Sequence, residues 1–188
     1  NTIVHHFLSS SIAELALLGA AERPSVDHAA AFESEALAIR DLLKFDFFFG
    51  DREQFMAAVE SEASTLALDW RERLAAGPTG VLLETAPMLC SDMYLRSFFE
   101  AYAVVAGVMA SDDASRPFEE RALLDQCMGL GQQYLLQGRL RSPEAVSRHL
   151  FRAGIELARN RGLWSPVEGI DGHRREFAAN LQAVLRRL

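Results

Sequence analysis

Histidine and cysteine are the residue types of this chain that most readily support acid–base, nucleophilic or metal-binding chemistry. Adjacent histidines on a helix point about 100° apart, so His5 and His6 are not expected to bind one metal ion together. Cys90 and Cys127 stand far apart with no C-x-x-C pair, which excludes a disulfide scaffold and a zinc cluster, and we expect both to be small buried apolar residues. The other three histidines are His28, His149 and His173.

Complete catalytic motifs are absent from the sequence. There is no G-x-S-x-G elbow, no P-loop and no H-E-x-x-H pair, and no histidine is followed by aspartate at the fifth position. We therefore predict no catalytic, cofactor-binding or metal-binding residue within residues 1–188, and no cofactor.

The aromatic segment 45–49 is the most unusual string, with four phenylalanines in five positions. Side chains so placed point in several directions and need partners on several sides. They could line a groove for an acyl chain, but we expect core packing instead. On that interpretation Phe47→Ala or Phe48→Ala costs roughly 3–5 kcal/mol.

Charge is distributed unevenly along the chain. Residues 1–137 carry 9 basic and 21 acidic side chains, whereas residues 138–188 carry 10 basic and 5 acidic ones, and only Lys44 among the 19 basic residues is not arginine. The arginines of the basic part could meet an anionic membrane surface, or they could pair with the acidic part of the same domain. They include Arg139, Arg141, Arg148, Arg152, Arg159, Arg186 and Arg187.

Apolar residues recur at spacings of three and four along nearly the whole chain, which predicts an all-α fold of six to seven amphipathic helices in a compact orthogonal bundle. Asp27, Asp51, Ser115 and Ser142 are the expected start signals. Gly19 and Pro24 are expected to stop the first helix, and Gly50 to end the second in a left-handed conformation after Phe48 or Phe49. One short β-hairpin is possible near residues 76–86.

We predict a single helical domain over residues 1–188, with no nucleic-acid partner and no membrane-spanning segment. The chain opens at Asn1 inside an apolar pattern and without a signal sequence. It is therefore expected to be a piece of a longer chain.

Two strings resemble a known family. Residues 1–7 (NTIVHHF) resemble the Y-x-R-N-x-x-x-H segment of PlsB-type bacterial glycerol-3-phosphate acyltransferases, downstream of their catalytic motifs. Residues 42–49 (LLKFDFFF), followed by Asp51, Arg52 and Glu53, resemble the L-L-K-x-E-(L/F)-F-(L/F) string of that family and the start of its next helix.

The resemblance implies a membrane-associated parent enzyme at the cytoplasmic face of the cell membrane. Such an enzyme transfers an acyl group from acyl-CoA or acyl carrier protein to glycerol 3-phosphate, giving lysophosphatidic acid for phospholipid synthesis. Its general base lies in an H-x-x-x-x-D motif upstream of this segment. His28 comes nearest, with Glu33 in place of the aspartate, so no catalytic residue is carried over, and the partner implied for this domain is the upstream catalytic domain.

Two other functions are consistent with the pattern. A winged-helix or helix-turn-helix regulator would place a recognition helix near residues 51–66, but Asp51, Glu53, Glu60 and Glu62 there oppose contact with phosphates. A free-standing helical ligand-binding protein would require the chain to start near Asn1.

Overall fold

The computed structural model describes residues 2–23, 27–75, 90–111 and 118–188, with the backbone alone for residues 2–6. All regular structure within these ranges is helical, so the predicted all-α class is confirmed. The helices are α1 (Thr2–Glu22), α2 (His28–Leu43), α3 (Arg52–Leu66), α4 (Trp70–Ala75), α5 (Ser91–Ser111), α6 (Glu120–Leu136), a 3₁₀ turn (Pro143–Ala145), α7 (Arg148–Asn160) and α8 (Ile170–Arg187). The hairpin considered near residues 76–86 lies outside the described ranges.

Side-chain caps begin two of the helices where the sequence predicted them. The Asp27 carboxylate accepts the backbone N–H of Ala30 at 2.9 Å, and the Asp51 carboxylate accepts that of Gln54 at 2.9 Å. Such caps satisfy amides that have no partner inside the helix. Ser115, expected to start a later helix, lies outside the described residues.

Glu119, which the sequence did not single out, is the N-cap of α6. Its carboxylate accepts the backbone N–H groups of Arg121 and Ala122, at 3.1 and 2.8 Å. Here too the cap is an acidic side chain placed against the free amides of a first turn.

The expected end of α2 is wrong. The helix stops at Leu43, where the carbonyl oxygen accepts the N–H groups of both Asp46 and Phe47 at 3.0 Å, which turns the chain out of the helix. Gly50 does not have a positive φ. The helix expected to begin at Ser142 is also interrupted, because the 3₁₀ turn precedes α7.

Gly19 does not stop α1, which continues to Glu22. A Cβ at Gly19 would lie 2.5 Å from Glu35 Oε2 and 2.7 Å from Arg187 Nη1. These two groups form an ion pair of 2.9 Å. Glycine at position 19 therefore leaves room for a charged pair beside the helix.

The chain divides into two compact units, and each is described by itself: Asn1–Leu95 with Arg187–Leu188, and Arg96–Arg186. In the first unit α1 packs against α2 and α3, and Phe32 of α2 contacts Trp70 of α4 with ring centroids 4.6 Å apart. Burial of these apolar faces is the main stabilising contribution.

The second unit is built around Phe99, Tyr102 and Phe151, which are almost fully buried. A Cβ at Gly154 of α7 would lie 3.2 Å from the Tyr102 ring, so glycine permits close packing of α7 against Tyr102 of α5. The second unit therefore has an apolar core of its own.

Candidate functional site

The aromatic segment 45–49 and the end of α2 form a groove of about 530 Å³ in the first unit. A groove of this size lies within the range of small-molecule sites, about 300–1,000 Å³. Its lining combines aromatic, aliphatic and charged side chains: Leu37, Arg40, Asp41, Lys44, Phe47, Phe48, Phe49 and Arg52.

The four phenylalanines of this segment have different environments. Phe47 is buried at 7% exposure, Phe45 is 42% exposed and Phe48 is 91% exposed. Phe49 packs against Phe55 of α3, with ring centroids 5.4 Å apart and perpendicular planes. Core packing is therefore confirmed for Phe47 and wrong for Phe48, because the chain leaves the helix at Leu43 and turns the Phe48 ring outward.

Cationic side chains lie beside two aromatic rings of this region, the exposed Phe45 and the buried Phe55. Lys44 Nζ lies 2.6 Å from Asp41 and 5.6 Å from the centroid of the Phe45 ring. The Arg40 guanidinium lies 5.2 Å from the centroid of Phe55 and donates to the Gly50 carbonyl oxygen at 2.7 Å. A protruding ring beside cations can meet a surface that is both apolar and anionic.

The histidines whose side chains are described lie on three different helices. His28 lies at the start of α2, His149 in α7 and His173 in α8, and only the backbone of His5 and His6 is described. Over the described ranges, no three His, Cys, Asp or Glu side chains are placed to hold a metal ion.

Both cysteines are free and buried, as expected. Burial raises the pKa of the Cys127 thiol to about 12. Burial also raises the pKa of the Cys90 thiol, against the opposing effect of a hydrogen bond with Ser11. Neither thiol is activated as a nucleophile, since nucleophilic cysteines need a lowered pKa.

Arginines of the basic part pair within the second unit. Arg148 lies 2.5 Å from Asp125, and Arg159 lies 2.8 Å from Glu120 and 2.6 Å from Glu156. The pairs with Asp125 and Glu120 join α7 to acidic side chains of α6, which is the second of the two possibilities raised from the sequence, whereas Glu156 lies within α7 itself. Arg152 is exposed and has no ion pair among the described residues.

Two buried carboxylates were not foreseen from the sequence. Glu14 of α1 is 1% exposed and accepts the backbone N–H groups of Cys90 and Ser91. Glu100 of α5 is 2% exposed and accepts the backbone N–H groups of Arg141 and Ser142. The sequence held one sign of the first of these: Glu14 is a single charged residue within the apolar run of α1. A charge buried in such a run needs hydrogen-bond partners, so contacts to another segment could have been expected there.

Recognition of DNA by α3 is not favoured by the structure. Its basic residue Arg52 is paired with Glu33 at 2.7 Å, and Glu53 is exposed beside it. In the described part of the chain there is no strand that could form a wing. The helix therefore offers little positive charge to a phosphate backbone.

Comparison with known proteins gives consistent matches. The model of the glycerol-3-phosphate acyltransferase C-terminal region matches residues 1–166. "Putative acyltransferase plsB1" of Mycobacterium bovis and of two strains of Mycobacterium tuberculosis is 36% identical over 197 residues, covering 100% of this chain and 31% of each relative. The chain thus spans about a third of the length of these relatives, and no solved structure matches it.

Proposed function

Because the chain belongs to the family of glycerol-3-phosphate acyltransferase C-terminal regions, we propose that residues 1–188 act as the C-terminal helical domain of such an enzyme. The parent transfers an acyl group from acyl-CoA or acyl carrier protein to the sn-1 hydroxyl of glycerol 3-phosphate and produces lysophosphatidic acid for phospholipid synthesis. The single observation that carries this proposal is the family match over residues 1–166.

The role of this domain is support of the catalytic domain rather than chemistry. Acyl transfer to a hydroxyl needs a positioned general base, and the H-x-x-x-x-D spacing of the family does not occur in this sequence. Its two cysteines are buried thiols with raised pKa values. The main partner of this domain is therefore the upstream catalytic domain. The acyl donor and glycerol 3-phosphate are substrates of the parent enzyme as a whole.

An acyl-transfer assay tests this division of roles. The 188-residue chain, mixed with acyl-CoA and glycerol 3-phosphate, should release CoA at the uncatalysed rate, whereas the whole parent protein should turn over. Turnover by the chain alone that disappears in His28→Ala would refute the proposal. His173→Ala, a substitution of an exposed histidine on α8, is the matched control.

Membrane association is a second part of the proposal, and the groove at residues 45–49 supports it. None of the helices in the described ranges is long and apolar enough to cross a bilayer. The exposed Phe48 ring can insert at the headgroup level, and Arg40, Lys44 and Arg52 line the groove beside it. We place this contact at the cytoplasmic face of the cell membrane.

Vesicle flotation tests the membrane contact. Phe48→Ser should reduce binding to anionic vesicles at least fivefold, because it removes the inserted ring. Leu68→Ser is the control, since Leu68 is 95% exposed in the same unit but is followed by the acidic Asp69. An equal loss in both variants, or no binding by the unmodified chain, would contradict this placement.

A further inference from the structure

An exposed apolar patch in the first unit is formed by the start of α1 and the start of α5, and it consists of Phe7, Met93 and Tyr94. The Phe7 and Tyr94 rings stack almost in parallel, with centroids 4.7 Å apart and 4° between their planes. Phe7 is 37% exposed, and Met93, the residue before Tyr94 on α5, is 74% exposed. These three side chains are called the α1–α5 patch below.

Buried hydrogen bonds between the two helices fix the base of the α1–α5 patch. Glu14 of α1 accepts the backbone N–H groups of Cys90 and Ser91, at 2.8 and 2.7 Å. Ser11 Oγ of α1 and Cys90 Sγ lie 3.4 Å apart and share a further hydrogen bond. The start of α5 is therefore held against α1, and little conformational entropy is left to lose when a partner covers the patch.

The side chains of the α1–α5 patch are of the kinds found at the centre of protein–protein interfaces. Aromatic residues and methionine are enriched there, and charged residues are depleted. The Glu14 carboxylate at the base of the patch is buried, so it presents no charge to a partner. Asp92, the charged neighbour of the patch along α5, is exposed, as charged residues at the rim of an interface are. The patch therefore fits an apolar protein surface.

The place of the α1–α5 patch along the chain indicates which protein surface covers it. The matching family is that of a C-terminal region, and about two-thirds of the length of the relatives lies outside this chain. A C-terminal region continues the chain of the domain that precedes it, so α1 is its element nearest in sequence to that domain. Phe7 lies in the second turn of α1, about 8 Å along the axis from the first residue of the helix. A surface so close to the junction meets the preceding domain at a high effective concentration.

We propose that the α1–α5 patch is the surface on which the upstream catalytic domain of the parent enzyme packs, with Phe7, Met93 and Tyr94 against apolar side chains of that domain. The inference rests on the proposed function, because it takes the catalytic domain as the partner, and it adds the residues that make the contact. Removal of the exposed methionine and ring surface from water supplies the stabilisation, since this is the main favourable contribution in most protein association.

Hydroxyl-radical footprinting of the 188-residue chain and of the whole parent protein, in the same buffer and detergent, tests this surface. The radicals oxidise exposed methionine, phenylalanine, tyrosine and leucine side chains, and mass spectrometry of the peptides gives the oxidation rate of each residue. We expect Met93 to be oxidised at least fivefold more slowly in the parent than in the 188-residue chain. Leu68, which is almost fully exposed in the same unit, is the control and should be oxidised at equal rates in both.

A charge placed in the patch provides a second test. Met93→Asp should leave the melting temperature of the 188-residue chain unchanged, because Met93 is exposed and an acidic residue is favourable in the first turn of a helix. In the parent the same variant buries an unpaired charge at the contact, so the oxidation rate of Phe7 should rise at least threefold. Leu68→Asp is the matched control and should leave the oxidation rate of Phe7 unchanged.

Three results would overturn this surface. Equal oxidation of Met93 in the chain and in the parent would show that the catalytic domain does not cover the patch. Slow oxidation of Met93 in the 188-residue chain itself would assign the cover to a second copy if it depends on protein concentration, and to another segment of the same chain if it does not. An unchanged rate for Phe7 in the Met93→Asp parent would also exclude the contact. The proposed function fails by a separate result, which is release of CoA by the 188-residue chain alone.

Discussion

Each unit of this chain buries one glutamate that binds a distant stretch of backbone, and the two differ in how the charge is met. Glu14 accepts N–H groups of Cys90 and Ser91 at 2.8 and 2.7 Å. Glu100 accepts those of Arg141 and Ser142 at 2.9 Å. In both cases a helix side chain fixes a segment far away in sequence.

The surroundings of the two carboxylates are different. In the described part of the chain Glu14 has no arginine or lysine partner, and the Cys90 thiol donates to it at 3.2 Å. Its negative charge is met by the first amides of α5, where the helix dipole favours an anion. Glu100 instead has Arg96 nearby and borders a cavity. A buried carboxylate can therefore be stabilised by a helix N-terminus or by a nearby cation.

Removing Glu14 should give the largest loss of stability. Glu14→Ala leaves the Cys90 and Ser91 amides buried without their acceptor, and each hydrogen bond to a charged group contributes about 1.5–3 kcal/mol. We expect the free energy of unfolding, measured by urea titration, to fall by about 3–5 kcal/mol. Glu14→Gln keeps one acceptor oxygen and should lose about half as much. A loss below about 1 kcal/mol for the alanine variant would mean that solvent reaches these amides.

Glu100→Ala should cost less, although it breaks two similar hydrogen bonds. Water in the adjoining cavity can reach the freed amides, which lessens the penalty of losing their acceptor. We expect a loss of about 2–3 kcal/mol in the same urea titration. A larger loss in the free energy of unfolding for Glu100→Ala than for Glu14→Ala would show that water in the cavity does not reach the freed amides.

Each unit also contains one buried cysteine, and the two thiols should differ in their effect on how the free energy of unfolding depends on pH. The folded Cys127 thiol has a pKa of about 12, against an ordinary value of 9.0. Between these values the unfolded chain loses a proton that the folded chain retains, so stability falls as the pH rises above about 9. This thiol alone contributes a slope of about 1.4 kcal/mol per pH unit.

Urea titrations between pH 8 and 10.5 measure this slope. Cys127→Ala should flatten it by that amount relative to the unmodified chain. Cys90→Ala should flatten it less: burial and the Glu14 carboxylate raise the pKa of Cys90, but its hydrogen bond with Ser11 opposes them. Identical slopes in the unmodified chain and Cys127→Ala would show that the Cys127 thiol ionises at its ordinary pKa in the folded protein.

Local signals in the sequence predicted much of this fold. The helical class follows from the apolar spacing, and Asp27 and Asp51 cap helices through contacts three residues along the chain. The family resemblance read from residues 1–7 and 42–49 is confirmed by the match over residues 1–166. The apolar spacing and the two caps could be recognised in the sequence because they depend on interactions between residues that are close together along the chain.

Long-range contacts account for what the sequence did not predict. The partners of Glu14 and Glu100 lie 76 and 41 residues away. Gly19, expected to end a helix, instead accommodates the pair of Glu35 with Arg187, which is 152 residues distant. Phe48 is exposed because of where α2 ends. Helical periodicity cannot specify such contacts, since tertiary packing decides them.

The smallest effect is expected for Arg148, whose pair with Asp125 is half-exposed on both sides. Exposed ion pairs contribute about 0–1 kcal/mol, because water and side-chain entropy offset the attraction. Arg148→Ala should therefore lower the free energy of unfolding by less than about 1 kcal/mol, and this loss should vanish in 1 M salt, where the Debye length is about 3 Å. Glu14→Ala, measured in the same salt, should keep most of its loss, since its hydrogen bonds are buried. A salt-insensitive loss in Arg148→Ala would indicate that the arginine stem contributes through packing, as long side chains do when they cover apolar surface.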